Sequence, residues 1–280
     1  MIAPLEVTGL TKVFDTPTGP LVAVKDVNAV VQESEFVCIL GHSGCGKSTV
    51  LSILAGLDEA TYGGVVIDGK QVTAPGSERA LVFQSPCLLP WLTARQNVQL
   101  AADRAEISRR GSSRDHAQSY LELVGVGDDA DRRPAELSLG TQQCVSLARA
   151  LSVEPRFLLL DEPFSMLDSL TRFELQDTLL AVWEKHRRTV VMVTHDIDEA
   201  LYLADRLILM TDGPEAGVGE VLDVPFARPR NRAAVLAHPD YYACRRRVLA
   251  FLDHHAHQSR TTAIDDVLRK ERRNNVRRIS

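Results

Sequence analysis

The sequence predicts an α/β fold: a parallel sheet covered on both faces, with an antiparallel β edge and a helical insertion. Three observations carry this prediction. Short, wholly apolar runs alternate with helix-periodic segments, the pattern of parallel strands buried on both sides. A glycine-rich phosphate-loop pattern directly follows one of these runs. Gly41, Gln84, Asp161 and His195 each follow the carboxyl end of a predicted strand, which is where open α/β sheets bind their ligands.

Bulk composition sets the limits. A chain of 280 residues is long enough for one large α/β domain, or for such a domain with an appendage. The net charge of -5 argues against a general nucleic-acid binder while leaving room for a local basic patch. No stretch approaches the roughly 20 apolar residues of a membrane-spanning helix. The segment Met1 to Glu6 lacks a basic region followed by an apolar core, so no secretory signal is expected. Work at a membrane would therefore need another chain to hold this one there. Cys38, Cys45, Cys87, Cys144 and Cys244 are odd in number and lack metal-ligand spacing, which suits a reducing cytosol.

Taken in order, Leu5 to Val31 holds β-prone pieces on either side of Asp15-Thr16-Pro17-Thr18-Gly19-Pro20. The prolines and glycine exclude a central strand, so this is read as an antiparallel edge with a loop. Phe14 stands just before that loop. Its position favours core, the alternative being a ring stacked on a nucleotide base.

Phe36-Val37-Cys38-Ile39-Leu40 reads as a buried strand. It runs into Gly41-His42-Ser43-Gly44-Cys45-Gly46-Lys47-Ser48-Thr49, which fits G-x-x-x-x-G-K-[ST]. The glycines let successive backbone N–H groups point at one anionic centre, Lys47 adds a full positive charge, and Ser48 is placed to bind magnesium. Val50, Leu51 and Leu54 recur at helical spacing until Gly56 stops the helix, so strand and helix flank the loop as the motif requires.

Gly63 to Lys70 reads as a strand ending in an Asp-Gly hairpin turn, and Ala80 to Phe83 as another strand with Gln84 at its exit. The apolar loop Ser85-Pro86-Cys87-Leu88-Leu89-Pro90-Trp91-Leu92 is either a lid over the core or a docking surface for a partner. From Thr93 to Arg133 the pattern is helical, broken at Arg109 to Arg114, and a further helix is expected from Thr141 to Val153, closed by Pro155. Strands then resume at Phe157 to Leu160, Thr189 to Val193 and Arg206 to Met210. Beyond Thr211 the alternation stops, so the division expected is 1–212 for the main domain, with a helical subdomain near 86–155, and 213–280 for an extension with a basic tail. His254, His255 and His257 form a run without a Cys partner, which reads as incidental rather than metal-binding.

A phosphate loop needs a metal anchor and a group that activates water. Asp161 is placed to hold magnesium with Ser48, and Glu162 to polarise the attacking water. His195 is a donor for charge growing on the γ-phosphate, and Gln84 is placed to sense both metal and water. The alternative for both carboxylates is a turn or helix-capping role before Pro163.

On these residues the chain resembles the nucleotide-binding subunits of ATP-binding-cassette (ABC) transporters. The matching pieces are Gly41 to Thr49, Val82-Phe83-Gln84, the signature-like Leu137-Ser138-Leu139-Gly140-Thr141-Gln142-Gln143, Leu158 to Pro163, the D-loop Met166-Leu167-Asp168 and the switch Val193-Thr194-His195-Asp196. The resemblance covers roughly Leu5 to Met210 and implies a RecA-like P-loop NTPase sheet with a helical ABC subdomain. It implies ATP and Mg2+ as cofactors, a Phe14 ring on adenine, and a Pro90-Trp91 segment that touches membrane subunits. Ser138, Gly140 and Gln143 would face the γ-phosphate held by the opposite subunit. Leu139 and Thr141 depart from the usual Leu-Ser-Gly-Gly-Gln, and Cys144 replaces a common arginine. Either one site of a heterodimer is weakened, or the leucine points away.

Within the family, Leu88 to Thr93, Met166 to Arg172 and the end from Thr211-Asp212-Gly213-Pro214 through Pro225 to Arg230 resemble the nitrate, sulfonate and taurine importer group. The tail through Tyr241-Tyr242 most resembles its nitrate and cyanate branch. The implied protein is a peripheral ATPase on the cytoplasmic face of the inner (plasma) membrane. Its implied partners are a second ATPase subunit, identical or not, integral-membrane permease subunits and an extracytoplasmic binding protein, with no nucleic acid. The implied cargo is a small anion, nitrate first, with sulfonate, taurine or cyanate as alternatives. An ATP-sensing regulatory subunit with weak hydrolysis is the contrasting function.

Overall fold

The computed structural model describes residues 5–105 and 112–256. β1 (Leu5–Thr16) and β2 (Gly19–Val31) form an antiparallel hairpin, and β3 (Phe36–Leu40) leads through the phosphate loop into α1 (Lys47–Ala55). β4 (Tyr62–Ile67), β5 (Lys70–Gln71) and β6 (Arg79–Val82) come next. The helices α2 (Ala94–Arg104), α3 (Ser113–Leu123) and α4 (Leu139–Ser152) then pack on one another as the helical insertion. β7 (Phe157–Asp161), α5 (Ser169–His186), β8 (Thr189–Thr194), α6 (Ile197–Leu203) and β9 (Arg206–Met210) restore the alternation. β10 (Val218–Asp223), α7 (Arg232–Leu236) and α8 (residues 241–256) complete the described chain.

The strands form two sheets, in the orders β2-β1-β4-β5 and β10-β9-β3-β8-β7-β6. In the larger one, β9, β3, β8, β7 and β6 are parallel. Their largely apolar composition, with Arg79, Asp161 and Arg206 at strand ends, follows from burial on both faces. Phe36, Cys38 and Leu40 of β3 join Leu158, Leu160, Val190 and Met192 against the helices, while Val37 and Ile39 join Leu159, Val191 and Val193 against α1 and the antiparallel sheet. Period-2 alternation divides each strand between two cores.

Several boundaries differ from the expectations. The loop drawn over 15–20 is almost all strand, with Asp15 opposite Pro20 and Thr16 opposite Gly19. Pro20 is tolerated because β2 is an edge strand, where a missing N–H breaks no ladder. α4 begins at Leu139 rather than Thr141 because the Ser138 hydroxyl caps it, accepting from the Thr141 N–H at 3.1 Å. The Asp68-Gly69 turn has positive φ at both residues, 52° and 72°, as a type I′ hairpin needs.

The division at 212 does not mark a break in the fold. β10 adds to β9 as an antiparallel edge, and Phe226, Val235, Tyr241 and Val248 share the core of α5 and α6. The basic tail and His257 lie outside the described residues, as does the first half of the Arg109 to Arg114 break. Among the described residues no cluster of His, Cys, Asp and Glu could by itself hold a metal, all five cysteines are free, and no helix is long and apolar enough to cross a membrane.

Candidate functional site

The phosphate loop owes its shape to glycine. Gly44 and Gly46 take φ of 83° and 90°, and a Cβ on Gly46 would meet Val24 Cγ1 at 2.4 Å. Lys47 is buried, with its ammonium donating to the carbonyls of Gly41 at 2.8 Å and His42 at 2.9 Å. No side chain caps α1 and no acid lies in its first turn, so its N-terminal N–H groups are left for an anion. Cys45 turns its thiol into the core, where burial pushes its pKa up, so it presents backbone alone; Ser43, Ser48 and Thr49 keep some exposure. The His42 imidazole meets Asp212 at 2.7 Å.

Phe14 is not core. Its ring is 38% exposed, with Lys12 Nζ 5.0 Å from its centroid. Its cross-strand partner Leu21 is exposed as well, so this part of the hairpin lies outside the core.

Ser48 and Asp161 meet at 2.9 Å, the hydroxyl donating to the carboxylate. Burial raises the Asp161 pKa, and its neighbour Glu162 pushes the same way, while the Ser48 hydrogen bond and the Lys47 charge oppose them. A hydroxyl and a carboxylate, both hard oxygen ligands, fit Mg2+, which is commonly bound by one or two protein ligands plus phosphate oxygens.

The three predicted catalytic residues converge. The Glu162 carboxylate lies 3.1 Å from His195 Nδ1 and accepts from Gln84 Nε2 at 3.4 Å, joining the ends of β6, β7 and β8. Glu162 takes φ of 44°, strained for a residue with a Cβ, and is fixed by its N–H to the Val193 carbonyl at 2.9 Å and by Ser165 Oγ to its own carbonyl at 3.0 Å. Gln84 was expected among the metal ligands as well. Its amide nitrogen is engaged by Glu162 at 3.4 Å and by Ser165 at 3.1 Å, whereas a metal would be met by the amide oxygen, which neither bond uses.

The signature residues separate. Ser138 is exposed at the α4 N-terminus, and Gly140 packs so tightly on α5 that a Cβ would meet Thr171 Cγ2 at 2.4 Å. Gln143 is a correction to the predicted trans contact: it is 2% exposed and donates to the Phe83 carbonyl at 3.2 Å. Helical geometry turns it inward from the face that Ser138 occupies. Leu139 is 36% exposed and so is not folded into the core. Asp168 caps α5, accepting from Leu170 at 3.1 Å and Thr171 at 3.2 Å, and the bonds to Thr171 lower its pKa.

The apolar loop divides between its two readings. Leu88 packs against the core and Asn97 grips the Leu89 backbone, while Trp91 is 66% exposed. Arg149 of α4 donates to the carbonyls of Cys87 at 2.8 Å and Pro86 at 3.1 Å. Sequence reasoning gave Arg149, Ser165 and Asp212 no role in the site: Arg149 and Asp212 meet partners distant in the chain, and Ser165 joins its neighbour Glu162 to the distant Gln84.

A family model described as ABC transporter matches residues 24–165. The nitrate import ATP-binding protein NrtD of Synechococcus elongatus is 51% identical over 243 residues, covering 86% of this chain and 88% of the relative. The bicarbonate transport ATP-binding protein CmpD of Synechocystis sp. is 47% identical over 253 residues, covering 89% and 88%. A solved structure described as a dimeric post-hydrolysis state of the ATP-binding cassette MJ0796 bound to ADP and Pi superimposes with a TM-score of 0.70 at 33% identity, covering 80% of this chain and 100% of that one.

Proposed function

The chain belongs to the ABC transporter family of ATPases, and from that premise we propose that it powers an importer for a small inorganic anion, nitrate ahead of bicarbonate. The observation that carries hydrolysis is the meeting of Gln84, Glu162 and His195 at neighbouring strand ends beside the Ser48–Asp161 pair. Lys47 and the N-terminal N–H groups of α1 would hold the ATP phosphates, with Phe14 at the base. Ser48 and Asp161 would hold Mg2+, which when bound neutralises charge on the phosphate oxygens. Glu162 accepts a proton from the attacking water, oriented by its contacts to His195 and Gln84. His195, exposed on its outer side, donates to the γ-phosphate as charge develops there.

Nitrate is favoured over bicarbonate by the higher identity to NrtD, 51% against 47%. No residue of the site addresses the cargo, so permease subunits and an extracytoplasmic binding protein would select it. The exposed Trp91 region is the proposed contact with the permease, with the ATPase peripheral on the cytoplasmic face. Ser138, Gly140 and the exposed Leu139 would meet a nucleotide on a second ATPase subunit.

The test is Glu162→Gln in the assembled complex. Turnover should fall by about 100-fold or more, while Mg-ATP binding persists and an ATP-bound dimer accumulates. Undiminished turnover would remove Glu162 from the mechanism. Uptake of labelled nitrate and labelled bicarbonate into proteoliposomes decides the cargo.

A further inference from the structure

The residues after β9 return to the phosphate loop. Asp212 pairs with the His42 imidazole at 2.7 Å. The next residue, Gly213, lies so close to the loop backbone that a Cβ on it would be 3.3 Å from the Gly44 carbonyl oxygen and 3.7 Å from Cys45 Cα. The outer wall of the loop is thus built by a segment that lies beyond the matched family region.

α8 packs beside this segment, on α6 and β10. At its start, the Tyr241 hydroxyl and Arg245 Nε each reach Asp198 of the switch helix α6 at 2.7 Å. Further along, Arg247 pairs with Glu220 of β10, and the Phe251 ring covers Gly219, where a Cβ would come within 2.5 Å of Phe251 Cζ. One turn on, His255 stacks against Phe251 with centroids 4.4 Å apart and is in electrostatic range of both Asp212 and His42. The helix therefore spans from the residues after His195 to the rim of the phosphate loop.

We propose that Asp212 is a positioning residue for nucleotide binding. Through His42 and the adjoining Gly213 it holds the Gly41 to Gly46 turn in the shape that receives phosphate. The physical reason is entropy. A glycine-rich loop is costly to order on binding, and a loop already held reduces that cost. Lys47 holds the inside of the turn by its bonds to Gly41 and His42, and Asp212 holds the outside. The proposal rests on the family's ATPase activity and is independent of which anion is carried.

The experiment compares full-length wild type with Asp212→Asn, measuring Kd for Mg-ATP by titration calorimetry and kcat and KM in the assembled complex. Kd and KM should rise together by roughly 3- to 10-fold, the worth of one net hydrogen bond, with kcat within about twofold. Adding His42→Asn to Asp212→Asn should cost less than the sum of the single changes, since both break one contact. Gly213→Ala pushes on the Gly44 carbonyl without removing the His42–Asp212 hydrogen bond and should raise Kd in the same direction. An unchanged Kd in folded Asp212→Asn, or a fall in kcat at constant KM, overturns the proposal; if that variant does not fold, an unchanged Kd in Gly213→Ala overturns it. A wild-type chain that fails to bind Mg-ATP would sink the ATPase reading and this proposal together.

Discussion

Glu199 lies in the first turn of α6, buried, with its carboxylate accepting from Gln176 Nε2 at 2.8 Å. Burial pushes its pKa up to about 7; hydrogen bonds from Thr194 and Gln176 and the charge of Arg172 oppose the rise, while Asp196 adds to it. A carboxyl whose folded pKa exceeds its unfolded value favours the fold while it stays protonated. That contribution is complete below about 4.5 and is lost as the pH climbs to about 7, with a limit on the order of 3 kcal/mol. Glu199→Gln stays neutral throughout and can still accept from Gln176. Its melting temperature relative to wild type should therefore be higher at pH 8 than at pH 5, and an equal difference at both would contradict the burial argument. The sequence shows Glu199 only as an acid after a switch histidine. Its burial and its partner on α5 come from packing and leave no local signal.

Among the elements, α6 shows what the C-terminal segment contributes. The helix is short, and Arg230 closes its carboxyl end, donating from Nη1 to the carbonyls of Tyr202 at 2.9 Å and Ala204 at 2.6 Å. Burial lowers the Arg230 pKa to about 10, so the guanidinium remains charged at neutral pH. Replacing it by alanine leaves buried carbonyls without a donor, and Arg230→Ala should cost roughly 2–4 kcal/mol in urea unfolding of the full chain. A loss below about 0.5 kcal/mol would mean that these carbonyls find other donors. The strands themselves were legible, because apolar runs between helix-periodic segments have few other uses. Their ends were less so: Ser138 advanced α4 by its side chain, and β2 includes Pro20 because an edge strand asks little of it.

At the scale of the whole molecule, one chain assembles the phosphate loop, the Ser48–Asp161 pair and the Gln84–Glu162–His195 group, while Ser138 stands at a separate helix end. A site completed by a second subunit makes specific activity concentration-dependent. ATPase rate per mole of free chain should rise with protein concentration, and a rate constant across a hundredfold dilution would show that one chain suffices. By itself the sequence determined the α/β class, the order of motifs and the strand ends at which Gly41, Gln84, Asp161 and His195 lie, because hydrophobic periodicity and glycine conformation act over a few neighbouring residues. Only the tertiary structure decided that Gln84 faces Glu162, that Gln143 turns inward and that Asp212 and Gly213 lie against the phosphate loop. Those outcomes depend on which distant side chains share a buried volume, and packing settles that after the local elements have formed.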